Sequence, residues 1–61
     1  MSTLEQIKAA YEAFVAENEK FVEKGNKAAA GRARKALSEL AKLCKVRRQE
    51  ILAEKEEELL S

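Results

Sequence analysis

Apolar positions in the first third of the chain recur at alternating spacings of three and four residues, the pattern of one face of an α-helix. The series is Leu4, Ile7, Tyr11, Phe14, Asn18 and Phe21, widened by Val15 and Val22. Ser2 or Thr3 suits the N-cap, and each is followed three residues later by Glu or Gln, as in a capping box. The polar member, Asn18, either sets the register with a partner helix or lies at the margin of the stripe and meets water.

A break in the helical pattern is expected at Gly25-Asn26. Glycine can adopt the left-handed conformation that ends a helix, and asparagine suits the N-cap of the next one. We therefore predict a first helix over about 3–24, a turn at 25–26 and a second helix over about 27–60. So short a connection folds the helices back as an antiparallel hairpin. One continuous helix is the alternative, because glycine costs only about 1 kcal/mol inside a helix.

The second helix has a broader apolar face, in which small residues come first and large ones later. Its members are Ala29, Ala30, Ala33, Ala36, Leu37, Leu40, Leu43, Cys44 and Ile51. The alanines near the turn should let the first helix approach closely, with Phe21 and Val22 filling the space. Arg47 falls near this face and should extend outward or pair with a glutamate. Since one short helix cannot cover so wide a face, we predict an all-α fold in which hairpins dimerise into a four-helix bundle.

The length of 61 residues allows one domain, 1–61, with a small core. Cys44 is the single cysteine and histidine is absent, so neither a disulfide nor a metal cluster can staple the fold. Oligomerisation is the remaining means of stabilising so small a fold. Cys44 is expected to be a small buried hydrophobic residue. No apolar run reaches the roughly 18 residues of a membrane span, and the start lacks a secretory pattern. A cytoplasmic protein without membrane contact is expected, with a second helix overhanging the first by roughly 20 Å.

Charge is strongly segregated, although the formal net charge is only +1. Residues 1–19 carry one lysine against four glutamates, residues 20–48 carry ten cations against two glutamates, and residues 49–61 carry one lysine against five glutamates. A basic block between two acidic segments indicates an anionic partner. The acidic ends could instead meet the basic block of a neighbouring chain.

The basic block projects mainly from the side of the second helix opposite its apolar face. We predict a nucleic-acid-binding surface formed by Lys24, Lys27, Arg32, Arg34, Lys35, Lys42, Lys45 and Arg48. From Lys27 to Lys45 the row spans roughly 27 Å, which matches several phosphates of a DNA duplex. Backbone N–H groups at 26–29 could add a further phosphate contact. The competing interpretation is an ordinary solvated helix face.

Enzymatic activity is not expected. The chain has no histidine, no aspartate and no second cysteine, so a nucleophile with a base and an orienting group cannot be assembled. No catalytic residues, cofactor, metal or small-molecule substrate are predicted.

Lys24-Gly25-Asn26-Lys27-Ala28-Ala29-Ala30, followed by Arg32, Arg34 and Lys35, resembles the signature of the chlamydial linker-histone-like (histone H1-like) nucleoid proteins. The resemblance extends over about 4–51. It implies a small bacterial protein that helps to compact the nucleoid, with the cations of this motif on DNA. The chlamydial proteins continue into a Lys- and Ala-rich tail, whereas the sequence here ends in 56–61 with three glutamates. Without such a tail the domain is expected to keep its fold and self-association and to bind DNA weakly or not at all.

Our functional hypothesis is a non-specific, salt-sensitive DNA-binding protein of the bacterial nucleoid, acting as a homodimer. The alternative is a helical oligomerisation or scaffold module that does not bind nucleic acid. A third hypothesis is a helical adaptor for an acidic protein. Salt separates the first two, because DNA affinity falls steeply with salt and apolar helix contacts do not.

Overall fold

The computed structural model describes the backbone of residues 2–60 and the side chains of residues 2–55. This part of the chain forms two helices, α1 (Thr3–Lys24) and α2 (Lys27–Leu60), and contains no strand. The helices run antiparallel, since Thr3 near the start of α1 contacts Glu50 while Glu17 contacts Arg32. The prediction of an all-helical hairpin is therefore confirmed, and a single continuous helix is excluded.

Side chains and one glycine define the ends of the helices. The Ser2 hydroxyl accepts a hydrogen bond from the Glu5 N–H at 3.1 Å, which caps α1. Gly25 has φ +64°, and its N–H donates to the Phe21 carbonyl at 2.9 Å. An L-residue would be strained in this left-handed conformation. Asn26 then starts α2 by accepting a hydrogen bond from the Ala29 N–H at 3.2 Å. Both capping predictions at the turn are confirmed.

The residues between the helices alternate at spacings of four and three, as in an antiparallel coiled coil. We call them the interhelical seam. In α1 they are Thr3, Ile7, Ala10, Phe14 and Glu17, and in α2 they are Ala29, Ala33, Ala36, Leu40, Leu43, Arg47 and Glu50, all half-buried or buried. Their size rises from alanine near the turn to leucine in the middle. Polar residues complete the seam at the open end.

Little of the molecule is fully enclosed. Among the residues whose side chains are described, only Ala29, with no exposed surface, and Ala33, 6% exposed, are buried. Two expectations were wrong. Val22 is 69% exposed and fills no space opposite the alanines, because it lies away from the seam. Cys44 is exposed, since α1 covers only one half of the broad apolar face of α2.

A polar cluster joins the two helices at the open end of the hairpin. The Thr3 hydroxyl donates to Glu50 at 2.7 Å, and Glu50 also accepts from Arg47 at 3.0 Å. Arg47 lies 3.5 Å from a carboxylate oxygen of Glu54 as well, so the expectation that it pairs with a glutamate is confirmed. Because Thr3 lies level with Glu50, about ten residues of α2 extend beyond α1, or about 15 Å. The overhang is shorter than expected.

Candidate nucleic-acid interface

Most of the predicted cations lie on the side of α2 that faces away from α1. At 100° per residue, the four that lie closest to the direction opposite the seam are Lys27, Arg34, Lys42 and Lys45. Lys35 and Arg48 flank this group on its two sides. All six side chains are exposed. We call these six residues the outer basic face, and from Lys27 to Arg48 it is about 32 Å long.

Residues between the cations leave the outer basic face open. Gly31 and Ser38 lie within it, and both are exposed. No atom lies within 4 Å of the place that a Cβ at Gly31 would occupy. The outward side of α2 carries no acidic residue from 27 to 53, because Glu39 points to one flank and Glu50 lies in the seam. Within the described part of the chain, no ion pair neutralises the six cations of the outer basic face.

Arg32 differs from the other predicted cations. Its Nε donates to the Glu17 carboxylate at 2.8 Å, in an ion pair that connects α2 to α1. The hydrogen bond from Arg32 is the main cause of a lowered pKa at Glu17, and Lys20, 3.6 Å from Glu17, adds to it. Arg32 is still about half exposed. Its position beside the seam gives it a role in holding the hairpin, apart from the outer basic face.

The predicted cation Lys24 lies at the turn, as the last residue of α1. A cation there is favourable, because the C-terminus of a helix carries partial negative charge. Lys27 follows as the first residue of α2, so the two lysines flank the two-residue turn. The Ala29 N–H is already bonded to the Asn26 side chain. The expected phosphate contact at the start of α2 could therefore use the N–H groups of Lys27 and Ala28, but not that of Ala29.

The sequence interpretation offered the acidic ends, including Glu17, to the basic block of a neighbouring chain, and it missed the contact of Glu17 with Arg32 of the same chain. The contact of Glu17 with Arg32 was nevertheless predictable from the sequence. Glu17 follows Phe14 by three residues on the seam, and Arg32 lies level with it in an antiparallel hairpin. The Glu50 carboxylate is a second example. Its pKa is lowered first by the hydrogen bond from Thr3 and then by the one from Arg47. Both glutamates serve the contact between helices.

Other kinds of site find no support in the described part of the chain. Within it, no group of three or more Cys, Asp or Glu residues is arranged to hold a metal ion. Over the same residues, neither helix has a segment apolar and long enough to cross a membrane. An open groove on the Arg32 side is lined by four alanines and four charged residues, of which Glu17 and Arg32 are paired with each other.

A comparison with protein families identifies one relationship. The profile of the family described as histone H1-like protein Hc1 matches residues 1–57, and so includes the turn and nearly all of both helices. No curated protein and no solved structure shows significant similarity to the chain. Because the match covers almost the whole sequence, the chain belongs to the histone H1-like protein Hc1 family.

Proposed function

We propose that the chain binds DNA without sequence preference, through contacts between the outer basic face and backbone phosphates, in the bacterial nucleoid. The observation that carries the proposal is the row of six exposed cations with no acidic residue among them. A duplex presents about one negative charge per 1.7 Å of axis, so a row about 32 Å long can meet several phosphates.

Family membership supports DNA as the partner, since a histone H1-like family is one of DNA-binding nucleoid proteins and not of enzymes. The chemistry of the surface supports a lack of sequence preference. Lysine and arginine side chains on a straight helix face reach phosphates, which position a protein on DNA but carry no sequence information. The interaction should therefore depend strongly on salt, because each phosphate contact releases a counterion.

The acting unit in this proposal is a homodimer in the form of a four-helix bundle. Supporting it is the apolar surface that α1 leaves uncovered, including Leu37, Cys44 and Ile51 of α2. A hairpin in which only two of the described side chains are buried is also a weak fold by itself, and a second copy would supply the missing burial. The same surface favours the second candidate function, a helical scaffold module without nucleic-acid binding.

The test is a titration of a random-sequence duplex at 50 and 200 mM salt. The variant Lys35→Ala/Lys42→Ala/Lys45→Ala removes three cations from the outer basic face without touching the seam. Its matched control, Lys8→Ala/Lys20→Ala/Lys55→Ala, removes the same charge elsewhere. We expect the first variant to bind at least tenfold more weakly, with the slope of log affinity against log salt reduced by about 0.9 per lysine lost.

Two results would contradict the proposal. Equal weakening by the two triple variants would mean that only net charge matters and that the outer basic face is not the site. Absence of binding at 50 mM salt would leave the scaffold module as the function. In either case circular dichroism of the variants shows whether the helices are intact.

A further inference from the structure

One side of the hairpin is apolar across both helices, beside the seam. From α1 it includes Leu4, Tyr11, Val15 and Val22, and from α2 it includes Leu37, Cys44 and Ile51. We call it the apolar face. Leu4 is 56% and Tyr11 is 57% exposed, and five of the eight large hydrophobic residues exposed in the described part belong to this face. It forms a strip along both helices in which, among the described residues, every member but the half-buried Val15 is exposed.

The other side of the hairpin has a different character. It is the alanine-lined groove, whose rim carries Gln6, Arg32 and Glu39. Of the large hydrophobic side chains that are exposed in residues 2–55, Val46 alone lies there. Burial of this side would remove charged groups from water for little apolar gain. The two sides of the seam thus differ in exposed apolar surface, and a helical partner would bury most apolar surface on the apolar face.

We propose that the apolar face binds the same face of a second copy, with the two-fold axis parallel to the helices. In this arrangement α1 of each copy lies on α2 of the other, antiparallel to it, and both turns lie at one end of the bundle. The inference rests on the proposed dimer, for which it specifies the interface and the orientation, and it is independent of DNA binding.

Charge at the borders of the apolar face selects this orientation. The outer border on α1 carries Glu5, Glu12 and Glu19 with one cation, Lys8, whereas the border on α2 carries only cations, Lys27, Arg34, Lys45 and Arg48. With the axis parallel to the helices, each acidic border meets a basic one. The other face-to-face two-fold arrangement, with the axis across the helices, places acidic border on acidic border and basic on basic. Such like-charge contacts are strongly disfavoured.

The positions along the helices also match. Thr3 pairs with Glu50 and Glu17 lies near Arg32, so residues whose numbers add up to about 49–53 share a level in the hairpin. A two-fold axis parallel to the helices keeps every level in place. Glu19 of one copy then lies level with Arg34 of the other, and Glu5 lies level with Arg48. None of these four side chains forms an ion pair within the described part of the chain.

The size of the face fits a second copy. Two helices about 10 Å apart and about 33 Å long present a strip on the order of 600 Å². Two such strips bury on the order of 1,200 Å², the lower end of the range for stable protein interfaces. Lys35 and Lys42 remain on the far side of α2, whereas Lys27, Arg34, Lys45 and Arg48 belong both to the outer basic face and to the border, so DNA contact and dimerisation would share these four residues.

Disulfide trapping between two kinds of chain tests the orientation. One chain carries Lys8→Cys with Cys44→Ser, and the other is the unaltered chain with Cys44, so that no disulfide can form within a chain. Lys8 is exposed at the border of the apolar face, and position 8 of one copy shares a level with Cys44 of the other in the proposed bundle. We expect a cross-linked heterodimer under mild oxidation. The matched control, Leu37→Cys with Cys44→Ser, should cross-link at least tenfold more slowly, because position 37 comes close to Cys44 of the second copy only when the axis runs across the helices.

Faster cross-linking by the Leu37→Cys chain would overturn the orientation. A monomer in sedimentation at 100 µM would overturn the interface itself. Binding of DNA or of another protein to the apolar face, in place of a second copy, would do the same. Sedimentation of the Arg34→Glu/Arg48→Glu variant is an independent test. The proposal expects its dimerisation to be at least tenfold weaker, whereas the arrangement with the axis across the helices expects no weakening. DNA titration of a Lys35→Ala/Lys42→Ala variant, which leaves the border unchanged, is separate, so failure of the dimer and failure of DNA binding are distinguishable.

Discussion

At the scale of single residues, the two glycines have opposite roles that composition alone does not separate. Gly25 has a positive φ and closes α1, whereas Gly31 is an ordinary helical residue with open space around its missing side chain. The difference was predictable for Gly25, because asparagine and a new helical pattern follow it. For Gly31 the sequence indicated only a position on the polar side of α2.

Replacement of each glycine by alanine should therefore change stability in opposite directions. Gly25→Ala places a Cβ in the left-handed region and should lower the free energy of unfolding by about 1–2 kcal/mol. Gly31→Ala should raise it by about 0.5–1 kcal/mol, because alanine favours the helix and meets no atom. Urea unfolding followed by circular dichroism measures both. A stabilising Gly25→Ala would mean that the turn is not held in the observed conformation.

Two carboxylates make the hairpin sensitive to acid. The pKa values of Glu17 and Glu50 are lowered from 4.5, chiefly by hydrogen bonds from Arg32 and Thr3 respectively. A group whose pKa is lower in the folded state stabilises that state above its unfolded pKa and loses the contribution as the pH falls. Both contacts join α1 to α2, so acid weakens the hairpin and not merely one helix.

The free energy of unfolding should accordingly decline as the pH drops below about 4.5 and through the lowered pKa values. Glu17→Gln should reduce this pH dependence, since the amide does not titrate. Glu12→Gln is the matched control, because Glu12 is exposed and forms no ion pair in the described part of the chain. Thermal unfolding between pH 3 and pH 7 provides the comparison, and identical profiles for the two variants would contradict a role for the Glu17–Arg32 contact.

At the scale of the elements, the size of the seam residues sets how the helices meet. Ala29 and Ala33 are the two buried residues of the described part, and they lie near the turn, where the chain reverses within two residues. Small side chains there let the backbones approach closely. The alanine-to-leucine order in the sequence predicted this arrangement. The seam's polar end at Arg47 and Glu50 was only partly predictable, because a single sequence does not show which glutamate an arginine selects.

Enlargement of a buried alanine should force the helices apart. Ala29→Leu should destabilise the hairpin by about 1–3 kcal/mol through overpacking. Ala28→Leu is the matched control, since Ala28 is exposed and its replacement should change the free energy of unfolding by less than about 0.5 kcal/mol. Equal effects in chemical denaturation would show that the turn end of the seam is not tightly packed.

At the scale of the whole molecule, the hairpin is a rod of 54 × 15 × 14 Å. The helix bounds and the outward direction of most cations follow from periodicity and capping, which are local properties. These local properties do not show which half of each apolar stripe is covered by the other helix and which half stays exposed. Leu4 and Tyr11 share the helical spacing of Ile7 and Phe14, yet only the latter two are half-buried, because the seam is shifted by one position from the stripe at 3 and 10.

The near absence of buried residues has an evolutionary consequence. Because only Ala29 and Ala33 are enclosed among the described side chains, most positions in this part of the rod can mutate without clashing with a neighbour. The turn, its caps and the small residues beside it are the positions at which the fold most constrains the sequence. The charged residues on the outer side of α2 can be replaced with little loss of stability. Selection could then tune affinity for an anionic polymer through surface lysines while the scaffold beneath them stays the same.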